Sequence, residues 1–138
     1  MAPVVVLSAD HDAIQPHVIE AFGPVTTVIP YHSAAEVVRL AELGEGSLVG
    51  SIVSRDTEFV RHVVIGSAPH HGRLLVLDRD CADESTGHGS PMPQMVHGGP
   101  GRAGGGEELG GVRAVKHYMQ RTALQGSPAT LTAVLGAS

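Results

Sequence analysis

The sequence has few of the residues that usually anchor or cross-link a domain. Its 138 residues include one cysteine, no tryptophan and only 3% aromatic side chains. Because Cys81 stands alone, the chain can form no intramolecular disulfide and no multi-cysteine zinc site, and this cysteine usage fits a reducing compartment. We therefore expect a core of Val, Leu and Ala, either in a self-contained domain or as part of something larger.

Positive charge and long apolar runs are also scarce. Nine Lys and Arg against fourteen Asp and Glu give a formal net charge of −5, which is opposite in sign to that of a general nucleic-acid binder. No apolar run approaches the roughly 18 residues needed to cross a bilayer. The first eight residues lack the basic start and the cleavage motif of a signal peptide. We expect a cytoplasmic protein that binds neither nucleic acid nor a membrane.

The first half of the chain alternates between strand-like and helix-like patterns. Four runs rich in Val, Leu and Ile predict strands: residues 4–7, 25–29, 48–53 and 74–77. The third run is apolar on both faces apart from Ser51, which indicates a central strand. Because the connections are short, the series predicts an α/β fold with a parallel β-α-β-α-β core over residues 1–77.

Two amphipathic stretches between these runs predict the helices. Ser33 opens a capping-box pattern, and Asp56 is a suitable N-cap for the second helix. We expect these helices to end at Gly44 and Gly66, because glycine is favoured just past a helix end. The polar residues 10–16 are expected to form a loop.

The periodicity disappears over residues 78–106, a segment rich in Gly and Pro. Residues 85–111 hold ten of the eighteen glycines, which fits either a flexible linker or a long ordered loop over a site. The methionines within the segment favour the ordered loop. A last helix is expected from residue 107, followed by a short strand between Arg121 and Gln125 and then a tail to residue 138.

Several residue types could carry chemistry, but their spacing favours structural roles. The glycines of residues 101–106 match neither phosphate-binding motif, so permissive turns are the preferred interpretation. Cys81 as a nucleophile would need a paired base, whereas its acidic neighbours disfavour a thiolate. The histidines that could converge on a metal are His70, His71, His88, His97 and His117. No two of them lie four residues apart on a predicted helix with a carboxylate between them, as a zincin site requires.

The most informative short motif is EAFGPV at residues 20–25. An acidic residue, one spacer and an aromatic at the entrance to a strand can hold a hydroxylated sugar ring and present a flat face beside it. On the motif alone, a glutamate such as Glu20 is more often a solvated carboxylate, and an aromatic such as Phe22 is more often a core side chain.

Together with the later segments, this motif resembles the C-terminal part of NAD(P)-dependent aldehyde dehydrogenases. The later segments are ESTGHGSPMPQ at 84–94, HGGPGRAGGGEELGG at 97–111 and KHYMQRTA at 116–123. They are similar to the dehydrogenase domain of the bifunctional ring-opening enzymes (oxepin-CoA hydrolase and semialdehyde dehydrogenase) of bacterial phenylacetate degradation, and to related CoA-thioester semialdehyde dehydrogenases. The resemblance covers nearly the whole chain.

The resemblance implies oxidation of an aldehyde, such as a CoA-linked semialdehyde, to the acid. A cysteine attacks the aldehyde to form a thiohemiacetal, which passes a hydride to NAD or NADP. A glutamate then activates the water that hydrolyses the resulting thioester. Glu20 would hydrogen-bond the nicotinamide-ribose hydroxyls, and Phe22 would position the nicotinamide ring. In the family, the nucleophile, the general base and the dinucleotide domain all precede this motif. The resemblance therefore implies no catalytic residue and no metal ligand here, and Cys81 comes too late in the chain to be the nucleophile.

We accordingly expect a C-terminal dehydrogenase fragment, with a non-catalytic assembly or interaction module as the alternative. The strand between Arg121 and Gln125 has no evident partner strand after it in sequence, and an unpaired edge invites pairing with another chain. In aldehyde dehydrogenases the equivalent strand takes part in subunit association. We therefore expect the chain to self-associate through this strand.

Overall fold

The structure, a computed structural model, describes residues 4–85, 87, 101, 119 and 121–136. Its helices and strands are, in chain order, β1 (Val5–Ser8), α1 (Gln15–Val18), β2 (Val25–Val28), α2 (Ala34–Glu42), β3 (Ser47–Val53), α3 (Thr57–Ser67), β4 (His71–Leu77), β5 (Ala123–Gln125) and α4 (Pro128–Leu135). A 3-10 turn, Ala68–His70, joins α3 to β4. All of the strand pairs are parallel, so the predicted α/β fold is confirmed.

The strands form two sheets rather than one. β1 pairs with β2, and a second sheet has the order β3-β4-β5. Among the described residues β2 is not hydrogen-bonded to β3, so the continuous β-α-β-α-β sheet expected from the sequence is divided. The prediction that β3 is central is also wrong. In the part of the chain that the structure describes, β4 lies in the middle and β3 at the edge, where Leu48 is 59% and Val53 79% exposed.

The core is aliphatic, as the scarcity of aromatic residues led us to expect. It lies where α3 and α4 cover the three-stranded sheet, and its buried members are Ile52, Val60, Val63, Val64, Leu74, Val76 and Val134. The three valines of α3 recur at the spacing of one helical face. Full burial of each such side chain contributes about 1.5–3 kcal/mol.

The predicted starts of α2 and α3 are confirmed by their side-chain caps. Ser33 Oγ accepts a hydrogen bond from the backbone N–H of Glu36 at 3.2 Å. A carboxylate oxygen of Asp56 accepts from the N–H groups of Glu58 and Phe59, each at 3.1 Å. In both helices a polar side chain satisfies donors that the first turn leaves without intrahelical partners.

The predicted end of α3 at Gly66 is wrong, because the helix continues to Ser67. A Cβ atom at Gly66 would lie 2.5 Å from Cγ2 of Val38, on the facing helix α2. The glycine thus permits the close approach of α2 and α3 rather than ending a helix. The other helix, α2, ends at Glu42, shortly before Gly44 as expected.

Two further expectations need correction. Residues 10–16 are not wholly a loop, because α1 begins at Gln15 with a proline in its first turn, where no intrahelical N–H is required. The segment after Gly126 is not only a tail, since it contains α4, which is capped by Ser127 Oγ and ended by Gly136 at φ 66°. β5 pairs with β4, which precedes it in the chain, and the described residues after β5 contain α4 and no further strand.

The remaining sequence expectations fall partly outside the described residues. The helix predicted from residue 107 and most of the Gly- and Pro-rich segment lie there. Within the described part of the chain, no helix is long and apolar enough to cross a membrane.

Candidate functional site

The EAFGPV motif lies in the connection between α1 and β2. Backbone hydrogen bonds hold its second half in place: Val5 N–H donates to Pro24 O at 2.8 Å, and Val25 N–H donates to Gly23 O at 2.8 Å. The first of these bonds ties the turn to β1. The motif therefore occupies a defined position at the entrance to the two-stranded sheet, as the sequence predicts.

Glu20 and Phe22 are both exposed in this loop. The Phe22 side chain is 94% exposed, so it is not a core residue of the described chain. Glu20 helps to line a cleft of about 730 Å³, whose other walls include Ile19, Thr27 and Leu48. The cleft lies between β2 and the edge strand β3. The loop thus offers a carboxylate acceptor and an uncovered aromatic ring two residues apart.

A second group of polar residues gathers at the carboxyl edge of the three-stranded sheet. β3, β4 and β5 run parallel and end at Val53, Leu77 and Gln125. The turns that follow them therefore lie at the same edge. In open α/β sheets this edge is where ligands usually bind.

At this edge, Asp78 connects the end of β4 to α4. One of its carboxylate oxygens accepts the Ser127 hydroxyl at 2.6 Å and the Thr130 hydroxyl. The other accepts the backbone N–H groups of Asp80 at 2.9 Å and Cys81 at 3.1 Å. The Ser127 and Thr130 hydroxyls, in that order, hold the pKa of Asp78 well below its usual range. We call this arrangement the Asp78 clasp.

Next to the clasp lies a cleft of about 520 Å³ between the first turns of α3 and α4. Arg55 and Arg79 line it, together with the side chains of Thr57 and Asp80. Sequence analysis did not identify this cleft or the Asp78 clasp. The sequence does show polar residues directly after two apolar strands. However, the segment that forms α4 and completes the clasp is expected from the sequence to be a tail.

Cys81 shows the features of a structural residue. It is half-buried, and its Sγ lies 3.5 Å from Val76 O, positioned to donate to that carbonyl. Its own backbone N–H donates to Asp78. The hydrogen bonds of Cys81 within the described residues go to Val76 and Asp78 and not to a histidine, which favours the structural interpretation reached from the sequence.

The histidines named as metal candidates are only partly described. His70 and His71 are adjacent at the start of β4, and the ring Nδ1 of His71 lies 3.1 Å from Ser67 O. Burial lowers the pKa of His71; the hydrogen bond to Ser67 opposes this effect, and the charge of His70 adds to it. His88, His97 and His117 lie outside the described residues.

A separate charged cluster was missed by the sequence analysis. Asp10, His11 and Asp12 bring their side chains together in the turn after β1. Arg39 of α2 donates to His11 O at 3.0 Å, and its guanidinium lies 3.8 Å from Asp12. Because a cation already neighbours these carboxylates, we interpret the cluster as a link between this turn and α2.

Comparison with known proteins places these features in context. The aldehyde dehydrogenase family model matches residues 1–124. The chain is 58% identical to protein MaoC of Klebsiella aerogenes over 120 residues, which cover 87% of this chain and 36% of MaoC. It is 45% identical to the 3,4-dehydroadipyl-CoA semialdehyde dehydrogenase of Aromatoleum evansii over 84 residues, which cover 61% of this chain and 16% of that enzyme. The chain thus spans well under half the length of these curated relatives.

Proposed function

Because the chain belongs to the aldehyde dehydrogenase family, we propose that it works as part of an NAD(P)-dependent enzyme that oxidises an aldehyde to an acid. The observation that carries this proposal is the EAFGPV loop, where Glu20 and the 94% exposed Phe22 stand at the entrance to β2. An aromatic ring left uncovered at a position fixed by backbone hydrogen bonds is suited to contact a flat ligand.

The residues of the loop fit the nicotinamide half of NAD or NADP. Such a cofactor supplies a hydride acceptor when it is bound. The Glu20 carboxylate has acceptor capacity for two ribose hydroxyls, and it lines an open cleft rather than a packed core. The Phe22 ring provides an apolar surface against which a nicotinamide ring can be held. Both residues would orient a ligand, and neither would form or break a bond.

We further propose a CoA-linked semialdehyde as the substrate. Support comes from the name of one relative, the 3,4-dehydroadipyl-CoA semialdehyde dehydrogenase of Aromatoleum evansii. The resemblance of the later segments to ring-opening enzymes of phenylacetate degradation points to the same substrate class. The alternative, an assembly or interaction module without catalysis, predicts no contribution of Glu20 to turnover.

Self-association through β5 is also part of the proposal. β5 pairs with β4 on one side and stands last in the order of the described three-stranded sheet. Its outer edge presents backbone donors and acceptors that a second chain could pair with. The surface that would associate is therefore the outer edge of β5 and not an unpaired strand.

A graft tests the proposed function. The matching segment of the Aromatoleum evansii enzyme is replaced by the corresponding residues of this chain, and NAD(P)H production from its CoA semialdehyde is followed. We expect an active graft in which Glu20→Gln lowers kcat about tenfold, because a misplaced cofactor reacts slowly. Glu42→Gln, an exposed carboxylate on α2, is the matched control and should have no effect. An active graft that is indifferent to Glu20→Gln would show that Glu20 is only a surface carboxylate.

A further inference from the structure

We propose that the cleft between the first turns of α3 and α4 binds the phosphates of a CoA-linked substrate through Arg55 and Arg79. The identity of the ligand rests on the proposed function, whereas the anion-binding character rests on the cleft itself. The cleft lies at the carboxyl edge of the parallel strands β3 and β4. Its volume, about 520 Å³, is in the range of small-molecule sites.

The two arginines are available to a ligand. Arg55 follows β3 and Arg79 follows β4, so parallel pairing brings the two turns to the same edge. Both side chains are exposed, and neither takes part in an ion pair or hydrogen bond within the part of the chain that the structure describes. Guanidinium groups bind phosphates through paired N–H donors. The Thr57 hydroxyl, which also lines the cleft, adds a neutral donor.

Two carboxylates, those of Asp78 and Asp80, also belong to residues that line the cleft. The Asp78 carboxylate keeps its charge, but it already accepts two hydroxyl and two backbone N–H hydrogen bonds, so its acceptor positions are engaged within the chain. Asp80 is the cleft carboxylate without a side-chain partner in the described structure. Two uncommitted cations therefore face one uncommitted anion. The four charged side chains that line the cleft sum to a formal charge of zero, in a chain whose net charge is −5.

The separate position of the cleft favours CoA over a dinucleotide as the source of the phosphates. The cleft at Glu20 and the cleft at Arg55 and Arg79 share no lining residue. If the nicotinamide nucleotide occupies the Glu20 loop, the arginines are free to hold the phosphates of the other reactant. A CoA thioester carries a 3′-phosphate and a pyrophosphate, and either would suit a pair of arginines.

Calorimetric titration of the 138-residue chain with coenzyme A tests this assignment. We expect Arg55→Gln and Arg79→Gln each to weaken binding about fivefold, and the double variant to weaken it more than tenfold. Arg79→Lys should keep most of the affinity. Asp80→Asn should tighten binding about twofold, because it removes the opposing charge. Arg39→Gln, an arginine on α2 away from the cleft, is the matched control, and circular dichroism verifies the fold of each variant.

Each outcome decides the question. Binding of coenzyme A that is unaffected by both arginine substitutions, or no binding by the parent chain, would overturn the assignment. If the arginine variants lost NADP binding but kept coenzyme A binding, the cleft would bind the phosphates of the dinucleotide. This result would also overturn the assignment. Pantetheine, which lacks phosphates, should not bind. If the graft were inactive in aldehyde oxidation while the chain still bound coenzyme A through the two arginines, the proposed function would be rejected. The assignment of the cleft as an anion-binding site would be retained.

Discussion

The strands β1 and β4 both contain a run of Val and Leu, but the two runs lie in opposite environments. All four residues of β1 are exposed, whereas five consecutive residues of β4 are buried. β4 lies between β3 and β5 and is covered by α3 and α4, while within the described residues β1 pairs only with β2. Val and Leu content therefore predicts that a strand forms, but the neighbouring strands and the helical layer decide whether its side chains leave water.

The same contrast separates the two candidate sites. The Glu20 loop belongs to the exposed two-stranded sheet, and the arginine cleft belongs to the edge of the buried one. Exposed apolar side chains accumulate near the first: Val4, Val5, Val6, Leu7, Ile14, Val18, Ile19 and Phe22. An apolar surface of this kind is typical of a region that binds another surface or a ligand.

The largest expected effect comes from truncating a leucine in each sheet. Leu74→Ala in β4 should lower the free energy of unfolding by about 2–5 kcal/mol, because it leaves a cavity beneath α3. Leu7→Ala in β1, where the side chain is 50% exposed, should change it by less than about 0.5 kcal/mol. Urea unfolding measures both. Equal losses would mean that β1 is as buried as β4, and the comparison would fail.

A smaller loss in the free energy of unfolding is expected when an added methyl group overpacks the contact between α2 and α3. Gly66→Ala places a methyl group 2.5 Å from Val38 and should cost about 1–3 kcal/mol in urea unfolding. At Gly23, in the loop before β2, a Cβ atom would meet nothing within 4 Å, so Gly23→Ala is the matched control. A neutral Gly66→Ala would show that the two helices can separate without loss.

The Asp78 clasp should contribute about 1 kcal/mol, a value reduced for its partial exposure. Asp78→Asn removes the charge that the Ser127 and Thr130 hydroxyls stabilise, and Asp80→Asn is the control. Because the folded-state pKa of Asp78 lies below the ordinary 3.8, its contribution is present above about pH 4 and is lost as pH falls through the folded pKa. A difference between parent and Asp78→Asn that stays constant down to pH 2 would contradict the clasp.

The smallest effect concerns His71. Burial lowers its pKa from 6.5 in the folded state, so the unfolded chain binds more protons in the interval below 6.5. Stability should therefore decrease as pH falls through that interval. His71→Gln should flatten this part of the stability profile, whereas His62→Gln, on the exposed side of α3, should not. An unchanged slope in His71→Gln would assign the pH dependence to another group.

Local signals in the sequence account for most of the fold. The caps Ser33 and Asp56 depend only on neighbouring residues, and both were predicted correctly. The end of α3 was predicted incorrectly. Gly66 lies within the helix and permits a close contact with Val38 on another helix, which the local sequence does not reveal. The central place of β4 and the role of α4 likewise depend on pairings across more than forty residues, which local periodicity does not encode.

The two candidate sites differ in the same respect: one depends on neighbouring residues and the other on long-range pairing. The Glu20 and Phe22 motif is contiguous, so it could be found by resemblance to a family. The arginine cleft and the Asp78 clasp combine turns that follow different strands, and only the sheet register brings them together. Such a site cannot be identified from the spacing of residues along the chain.

The most direct test of the central claim measures NAD(P)H production from a CoA semialdehyde by the purified 138-residue chain and by the graft. The family resemblance implies a cysteine nucleophile, and the one cysteine here is engaged with Val76 O at the end of β4. We predict no turnover by the chain itself and turnover that depends on Glu20 in the graft. Turnover by the 138-residue chain that is abolished by Cys81→Ala would contradict this account.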